Sequence, residues 1–242
     1  MTGLYDVHTH ILPGVDDGSR DMQETKRMLQ MQRQQGVLHI IATPHFAVGD
    51  RQKSPDQLRD ILEQVKETAR RIDPEMTIDL GNELLNGPGV IAALQQGEAL
   101  TLAGTRYILV EFLPTDRYSV IYQALRDYIM EGYIPVVAHM ERYESLVSDR
   151  KRIEELIMLG AYFQMNAESL MGRRFSRRPT VCRRLVEEGL IHFIGSDCHR
   201  SDQRIPVMED ALAYLSKDYR QSGNFRKLVL ENSQKLLADQ FL

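Results

Sequence analysis

Seven short runs of apolar and β-branched residues alternate with segments of helical periodicity, and this alternation is the strongest constraint on the fold. The apolar runs cover residues 4–8, 38–43, 77–81, 107–112, 134–139, 162–166 and 191–195. The helical segments cover residues 21–35, 55–72, 89–96, 119–131, 153–160, 179–188, 207–215 and 225–239. Because parallel neighbours need a crossover connection, the alternation predicts an α/β fold with a parallel sheet, either doubly wound and open or closed into a barrel.

Local signals support the first two helices. Gly36 stands just past the segment 21–35, at the position where a left-handed residue ends many helices. Ser54 is placed to cap the segment 55–72, and Pro55 occupies its first turn. Apolar residues at positions 58, 61, 62 and 65 fall on one face, which predicts an amphipathic helix packed against a core.

Length and composition limit the class of protein. The chain has 242 residues, 43% of them hydrophobic, and we expect residues 1–242 to form a single domain, a size that suits one barrel of about 250 residues. The net charge of −4 argues against a nucleic-acid-binding surface. Cys182 and Cys198 cannot build a disulfide scaffold. With no secretion signal and no apolar run near the ~20 residues that span a bilayer, we expect a cytoplasmic protein without membrane insertion.

Histidine, aspartate or glutamate follows or ends six of the seven predicted strands. These residues stand in the segments His8-Thr9-His10, Val15-Asp16-Asp17-Gly18, Thr43-Pro44-His45, Gly81-Asn82-Glu83, Val110-Glu111-Phe112, Ala138-His139-Met140-Glu141-Arg142-Tyr143 and Ser196-Asp197-Cys198-His199. In a barrel, the carboxyl ends of the strands converge on one mouth, where the active sites of barrels lie. An open sheet would spread them along a line, so their placement favours a barrel.

The polar residues at these ends predict a metal centre. His8 and His10 are two residues apart, as are Asp197 and His199, and this spacing on a strand points both side chains to one face. A single such pair is a weak signal. We interpret His39 and His192, which lie near the starts of predicted strands, as structural. The full set of candidate ligands comprises His8, His10, Asp17, His45, Glu83, Glu111, His139, Asp197 and His199.

The charges of this set also require a cation. Four carboxylates in one cleft would repel one another and raise some of their pKa values. The mixture of nitrogen and oxygen ligands suits Mn²⁺, Fe, Zn²⁺ or Mg²⁺. Divalent cations would leave the mouth positive, which favours an anionic substrate, with phosphate esters as the leading class.

Taken in order, these segments resemble the PHP (polymerase and histidinol phosphatase) superfamily. Within it they look like the bacterial protein-tyrosine phosphatases of capsule and exopolysaccharide operons. The resemblance runs from His8 to about Arg204, and its most specific parts are the His-x-His, Asp-Asp-Gly and His-x-Glu-Arg-Tyr segments. It implies a distorted (β/α)₇ TIM-like barrel with the active site at the carboxyl ends of the strands. It also implies three divalent metal ions, with Mn²⁺ the first candidate and Fe, Zn²⁺ or Mg²⁺ the alternatives.

The resemblance implies a division of the ligands among the ions. The first ion would be held by His8, His10, Glu83 and Asp197. Glu83 would bridge to a second ion, which is completed by Glu111 and His139. The third ion would be held by Asp17, His45 and His199. Asp16 is expected to support this set from behind.

Two arginines and a partner follow from the same resemblance. Arg142 and Arg204 match the arginines that contact phosphate, so we expect them to bind substrate and take part in catalysis. The implied reaction is in-line attack of a metal-activated hydroxide on phosphotyrosine. Its phenolate leaving group, with a conjugate-acid pKa of about 10, reduces the need for a general acid. The implied partner is a phosphotyrosine-containing bacterial tyrosine kinase that controls capsule or exopolysaccharide synthesis.

Other functions remain open at this point. Histidinol phosphatase, or another small-molecule phosphoesterase of the superfamily, would keep the metals and change the substrate. The acidic net charge disfavours a nuclease-like phosphodiesterase, Glu111 stands where metal-dependent amidohydrolases commonly have a lysine, and the complete ligand set disfavours a catalytically silent binding module. Cys198 and Arg204 fit the Cys-x₅-Arg spacing of thiol-dependent phosphatases, but that loop has no glycine and Asp202 would repel phosphate.

A basic segment at residues 172–178 reads Gly-Arg-Arg-Phe-Ser-Arg-Arg. We interpret it as solvated surface. The alternative is that it attracts an acidic phosphotyrosine peptide and raises the rate of encounter.

Overall fold

The computed structural model describes residues 3–172, 177–218 and 222–242, which form a mixed α/β fold. The strands are β1 (Leu4–Thr9), β2 (Val37–Ala42), β3 (His45–Phe46), β4 (Thr77–Leu80), β5 (Glu83–Leu85), β6 (Tyr107–Glu111), β7 (Ile134–Val137), β8 (Tyr162–Asn166) and β9 (Phe193–Gly195). The helices are α1 (Met22–Gln34), α2 (Pro55–Ile72), α3 (Val90–Gln95), α4 (Tyr118–Met130), α5 (Glu144–Val147), α6 (Arg150–Leu159), α7 (Ala167–Leu170), α8 (Arg177–Glu187), α9 (Met208–Asp218) and α10 (Ser222–Leu237). Each of the seven strands and eight helices expected from the sequence overlaps a strand or helix of the structure.

The strands pair in parallel, as the alternation predicts. One sheet has the order β1-β2-β4 and the other the order β3-β5-β6-β7-β8-β9. Every described strand pair is parallel. Together the strands make a parallel sheet curled into a half-barrel. The carboxyl ends of the strands consequently lie on one side of the molecule.

The predicted strands 38–43 and 77–81 are each followed, after a short break, by a further short strand, β3 and β5 respectively. Pro44 lacks a backbone N–H and breaks the first of them. The two backbone segments stay adjacent through the breaks, because the Gly81 N–H donates to Ala42 O at 2.8 Å and the Glu83 N–H donates to Pro44 O at 3.1 Å. A Cβ at Gly81 would lie 2.8 Å from Leu102 Cδ2, so this crossing requires a glycine. The breaks turn His45 and Glu83 toward the mouth.

The segment after β9 runs beside the end of β1. The Asp197 N–H donates to His8 O at 2.8 Å, and the His10 N–H donates to Cys198 O at 2.9 Å. The strand geometry used to predict that Asp197 and His199 share one face does not apply, because β9 ends at Gly195 and Asp197 has a left-handed φ of 49°. Hydrogen bonds to β1, rather than strand pleating, bring these two side chains to the mouth.

The helices cover the outside of the strands. Ser54 caps α2 with a reciprocal capping box and Gly36 follows α1 with a φ of 74°, as predicted. The buried face of α2 includes Leu58, Leu62 and Val65. A second, smaller apolar cluster takes one or more residues from several strands: Val7, Ile41, Tyr107, Leu109, Ile134, Val136 and Phe193. The larger cluster joins the other face of the strands, at residues such as Ile40 and Val110, to helix residues such as Leu62. The two clusters fix the strands from both faces and hold their carboxyl ends in place.

None of the helices in the described ranges is both long and apolar enough to cross a bilayer. Residues 173–176 of the basic segment lie outside the described residues, so its proposed role is not located here.

Candidate metal centre

The structure brings all nine predicted ligands to the carboxyl ends of the strands. β1 and the loop after it supply His8, His10 and Asp17; the starts of β3 and β5 supply His45 and Glu83; and β6, the turn after β7 and the segment after β9 supply Glu111, His139, Asp197 and His199. Among the described residues, potential ligand atoms within 4.8 Å of one another form three overlapping groups. The groups share residues, so they make one continuous cluster.

The most buried group contains His8, His10, Glu83 and Asp197. The Nε2 atoms of His8 and His10 lie 3.1 and 3.2 Å from Glu83 Oε2. They lie 3.6 and 3.5 Å from Asp197 Oδ1. This is the composition that the resemblance implies for the first ion.

The most exposed group contains His10, Asp17, His45 and His199. Asp17 Oδ1 lies 3.3 Å from His199 Nε2 and 3.5 Å from His45 Nε2. The Asp17 side chain is 65% exposed, which places this group at the solvent side of the mouth. The structure adds His10 to the three residues implied for the third ion.

The remaining group contains His45, Glu83 and Glu111. His139, which the resemblance implies here, lies beside the same carboxylates, with Nε2 at 2.8 Å from Glu83 Oε1 and 3.3 Å from Glu111 Oε1. His45 Nδ1 lies 3.1 Å from Glu83 Oε2, so His45 faces two groups. Glu83 is thus central to the cluster, while the division of ligands among ions stays a prediction.

The donor set fits divalent cations. Glu83 Oε2 is buried and has no hydrogen-bond partner in the described ranges, although three imidazole nitrogens lie within about 3.2 Å of it. Burial raises the pKa of the Glu83 carboxyl, but the charge of His8 and contacts with His10 and His139 hold it well below its usual range. An ionised carboxylate among imidazole nitrogens is the set that Mn²⁺, Fe or Zn²⁺ accepts.

The histidines respond to the same charges. Burial lowers the pKa of His139, yet hydrogen bonds with Glu111 and Glu83 outweigh it and raise the pKa to about 9. Burial and the charges of His10 and Arg204 lower the pKa of His199 to about 4. The pKa values of two imidazoles in one cluster are therefore shifted in opposite directions by their different neighbours.

Arg142 and Arg204 meet at the same carboxylate. Arg142 Nη2 lies 2.6 Å from Asp197 Oδ2, and Arg204 Nη2 contacts the same oxygen. Arg204 Nη1 also lies 2.8 Å from His199 Nε2. Both guanidinium groups are partly exposed and border the cluster, where they can reach an anion in the mouth.

Backbone strain concentrates at this mouth. His139, Asp197 and Arg204 have positive φ angles of 30°, 49° and 51°. Such conformations cost roughly 1–3 kcal/mol each in a residue with a side chain, and they cluster at functional sites. The fold therefore holds these three residues in place against their local preference.

Cys198 is poorly suited to act as a nucleophile. Its side chain is fully buried. Burial, with the charges of Asp6 and Asp197, raises the pKa of the thiol far above its usual range. A thiolate is the reactive form, so the structure supports the rejection of thiol chemistry.

Several polar residues lie behind the ligands, of which sequence reasoning predicted Asp16 and missed Gln164, Asn166 and Tyr143. Asp16 Oδ2, expected to support the set, lies 2.8 Å from His10 Nδ1. Gln164 and Asn166 on β8 contact His8, His139 and Asp197, and Tyr143 Oη lies 3.2 Å from His139 Nδ1. The available signal was the i, i+2 spacing of the two amides at the end of a predicted strand.

Comparison with known proteins agrees with this site. The chain is 31% identical over 244 residues to the tyrosine-protein phosphatase CpsB of Streptococcus pneumoniae, covering 99% of this chain and all of that protein. It is 33% identical over 240 residues to the tyrosine-protein phosphatase YwqE of Bacillus subtilis (strain 168), covering 98% and 92%. A crystal structure from a study of YwqE and CpsB, described as unique metal-dependent tyrosine phosphatases, superposes with a TM-score of 0.87 at 32% identity, covering 98% of this chain and 95% of that chain.

More distant structures share only the fold. A lactonase from Listeria monocytogenes superposes with a TM-score of 0.63 at 12% identity, covering 99% of this chain and 95% of that chain.

The family model for capsular polysaccharide synthesis, CpsB/CapC, matches residues 4–238. The chain therefore belongs to the CpsB/CapC family.

Proposed function

We propose that this chain is a metal-dependent protein-tyrosine phosphatase. The observation that carries the proposal is the single cluster of imidazoles and carboxylates bordered by two guanidinium groups. It stands in a chain matched along nearly its whole length by tyrosine phosphatases. A cationic centre flanked by arginines suits a phosphate monoester dianion.

The proposal includes three divalent ions, with Mn²⁺ as the first candidate. Their ligands would be His8, His10, Glu83 and Asp197 for the first, Glu83, Glu111 and His139 for the second, and Asp17, His45 and His199 for the third. The contacts of Glu83 with imidazoles on several sides support its role between two ions. His10 and His45 each belong to two of the ligand groups, so each would be available to either of two neighbouring ions.

The mechanism assigns separate tasks to these residues. When bound, divalent ions polarise phosphoryl oxygens and supply an activated water as nucleophile. Arg142 and Arg204 bind the equatorial phosphoryl oxygens, where charge develops during in-line transfer. Asp197 holds both guanidinium groups at the mouth through one carboxylate oxygen. The phenolate needs little help to leave because its conjugate acid has a pKa of about 10.

The finer architecture is also part of the proposal. Counting each interrupted strand with its continuation gives seven strands, and the hydrogen bonds between the ends of β1 and β9 join the first to the last. We therefore propose a distorted (β/α)₇ barrel that forms a single domain over residues 1–242. The family match over residues 4–238 supports the single domain.

The proposed substrate is a phosphotyrosine-containing bacterial tyrosine kinase involved in capsule or exopolysaccharide synthesis. The family's description as capsular polysaccharide synthesis supports this choice. The cytoplasmic location stays a prediction.

Phosphate release from a phosphotyrosine peptide tests the function. We expect activity that is lost with a chelator and restored by Mn²⁺. Histidinol phosphate, measured in parallel, tests the alternative substrate class. Activity that survives chelation would contradict the metal-dependent mechanism, and faster hydrolysis of histidinol phosphate would contradict the substrate.

A further inference from the structure

Two buried amides on β8 lie against the metal-ligand cluster without belonging to it. Gln164 and Asn166 are two residues apart on the strand, so they share one face. Their side chains contact His8, His139 and Asp197, which come from three different parts of the chain. Such a pair can orient several ligands at once.

The orientation of the Gln164 amide follows from one unambiguous donor. The backbone N–H of His139 donates to Gln164 Oε1 at 2.7 Å, and a backbone N–H cannot accept. The same Oε1 lies 3.1 Å from His8 Nδ1. Because an amide oxygen has no proton to give, His8 Nδ1 must carry the proton of this hydrogen bond. Nε2, which faces Glu83 and Asp197, is then the nitrogen of His8 that is left to bind a cation.

The other end of the pair orients Asp197. Gln164 Nε2 donates to Asn166 Oδ1 at 3.0 Å, which leaves Asn166 Nδ2 to donate to Asp197 Oδ2 at 2.7 Å. Asp197 Oδ1 consequently faces His8 and His10, at 3.6 and 3.5 Å from their Nε2 atoms. One chain of hydrogen bonds with a fixed direction therefore runs from His139 through both amides to Asp197.

We propose that Gln164 and Asn166 are positioning residues that select the Nδ1–H tautomer of His8 and turn Asp197 Oδ1 toward the cation. This inference rests on the proposed function, because it assigns a purpose to residues that surround the same site. Outer partners of metal-binding histidines typically change metal affinity by about 10–100-fold when they are removed. A side chain that only filled space would have no such effect.

The first test is metal affinity in the full chain. Gln164→Met keeps the length of the side chain and removes both hydrogen bonds from Oε1. We expect the metal-free variant to keep the parent's circular dichroism spectrum and to bind Mn²⁺ about 10–100-fold more weakly by equilibrium dialysis. Parental affinity in this variant would overturn the proposal.

The matched control is Asn232→Leu. Asn232 is also buried, and its Nδ2 donates to His192 O at 2.9 Å, near the start of β9 and away from the strand ends that carry the cluster. We expect this variant to lose stability without losing affinity for Mn²⁺. Equal weakening of Mn²⁺ binding in both variants would mean that a general loss of packing causes the effect, and it would overturn the assignment of Gln164 and Asn166 as positioning residues.

The second test needs no variant of the pair. In the Zn²⁺-loaded parent with ¹⁵N-labelled histidine, NMR reports which ring nitrogen of His8 carries the proton, with the signal assigned by comparison with His8→Gln. We expect a protonated Nδ1, and an unprotonated Nδ1 would overturn the proposal. Both tests read binding or tautomer rather than turnover, so their failure is distinguishable from a failure to hydrolyse phosphotyrosine.

Discussion

Replacing Arg142 with methionine tests the role of the guanidinium groups at the mouth. The Arg142 side chain is 33% exposed, and its Nη2 lies 2.6 Å from Asp197 Oδ2. Methionine keeps most of the apolar stem and removes the charge and all hydrogen-bond donors. Asp197 keeps its contacts with Arg204 and Asn166, so the ligand cluster should remain assembled.

The size of the effect follows from the bond that is lost. A hydrogen bond to a charged group contributes about 1.5–3 kcal/mol. At about 1.4 kcal/mol per factor of ten, its loss in the transition state lowers kcat/KM by about 10- to 150-fold. Arg142→Lys keeps the charge without the planar fork, so we expect an intermediate loss.

The assay is kcat/KM for a phosphotyrosine peptide at saturating Mn²⁺, with bound metal measured in each variant. The control is Arg150→Met, since Arg150 is 51% exposed and pairs with Glu154 on the outside of α6. We expect the control to match the parent. Parental kcat/KM in Arg142→Met, at equal metal content, would refute the role assigned to Arg142.

Three further predictions follow from the charges at and around the cluster. The carboxylates that raise the pKa of His139 to about 9 keep this imidazole protonated in the metal-free protein, and a bound cation must displace that proton. Apparent affinity for Mn²⁺ should therefore rise from neutral pH to about 9, and a pH-independent affinity would contradict this. The raised pKa of His139 also stabilises the metal-free fold: this contribution is complete below the unfolded histidine pKa of about 6.5 and is lost as pH rises through about 9. Urea unfolding should therefore show a free energy of unfolding that falls over this range, and one that increases would count against the prediction. Cys198→Ser should keep the parent's phosphatase activity, and an inactive, folded variant would restore the thiol mechanism.

Much of the fold could be predicted because each strand is short, apolar and followed by a helix. The breaks at Pro44 and Gly81 were harder to predict. Proline alone indicates an interruption, but the need for glycine at position 81 depends on Leu102, which is distant in sequence. The pairing of Glu83 with Pro44 across the break is likewise a contact between distant segments.

The members of the candidate site were predictable, and their arrangement was less so. Histidines and carboxylates at strand ends stand out in the sequence, because parallel strands bring those ends together. The left-handed conformations of His139 and Asp197 have no local signal, since neither residue is glycine. The spacing of Gln164 and Asn166 is visible in the sequence, but their role was not predictable, because buried amides acquire a role only through the groups that they face.

The most direct test of the metal centre is the number of ions bound when the metal-free chain is titrated with Mn²⁺ and analysed by elemental analysis. The three groups of ligand atoms predict three ions per chain for the parent. Because Glu83 belongs to two of those groups, Glu83→Gln should retain the one ion held by His10, Asp17, His45 and His199. A parent that binds fewer than three ions, or a variant that binds as many as the parent, would contradict the account.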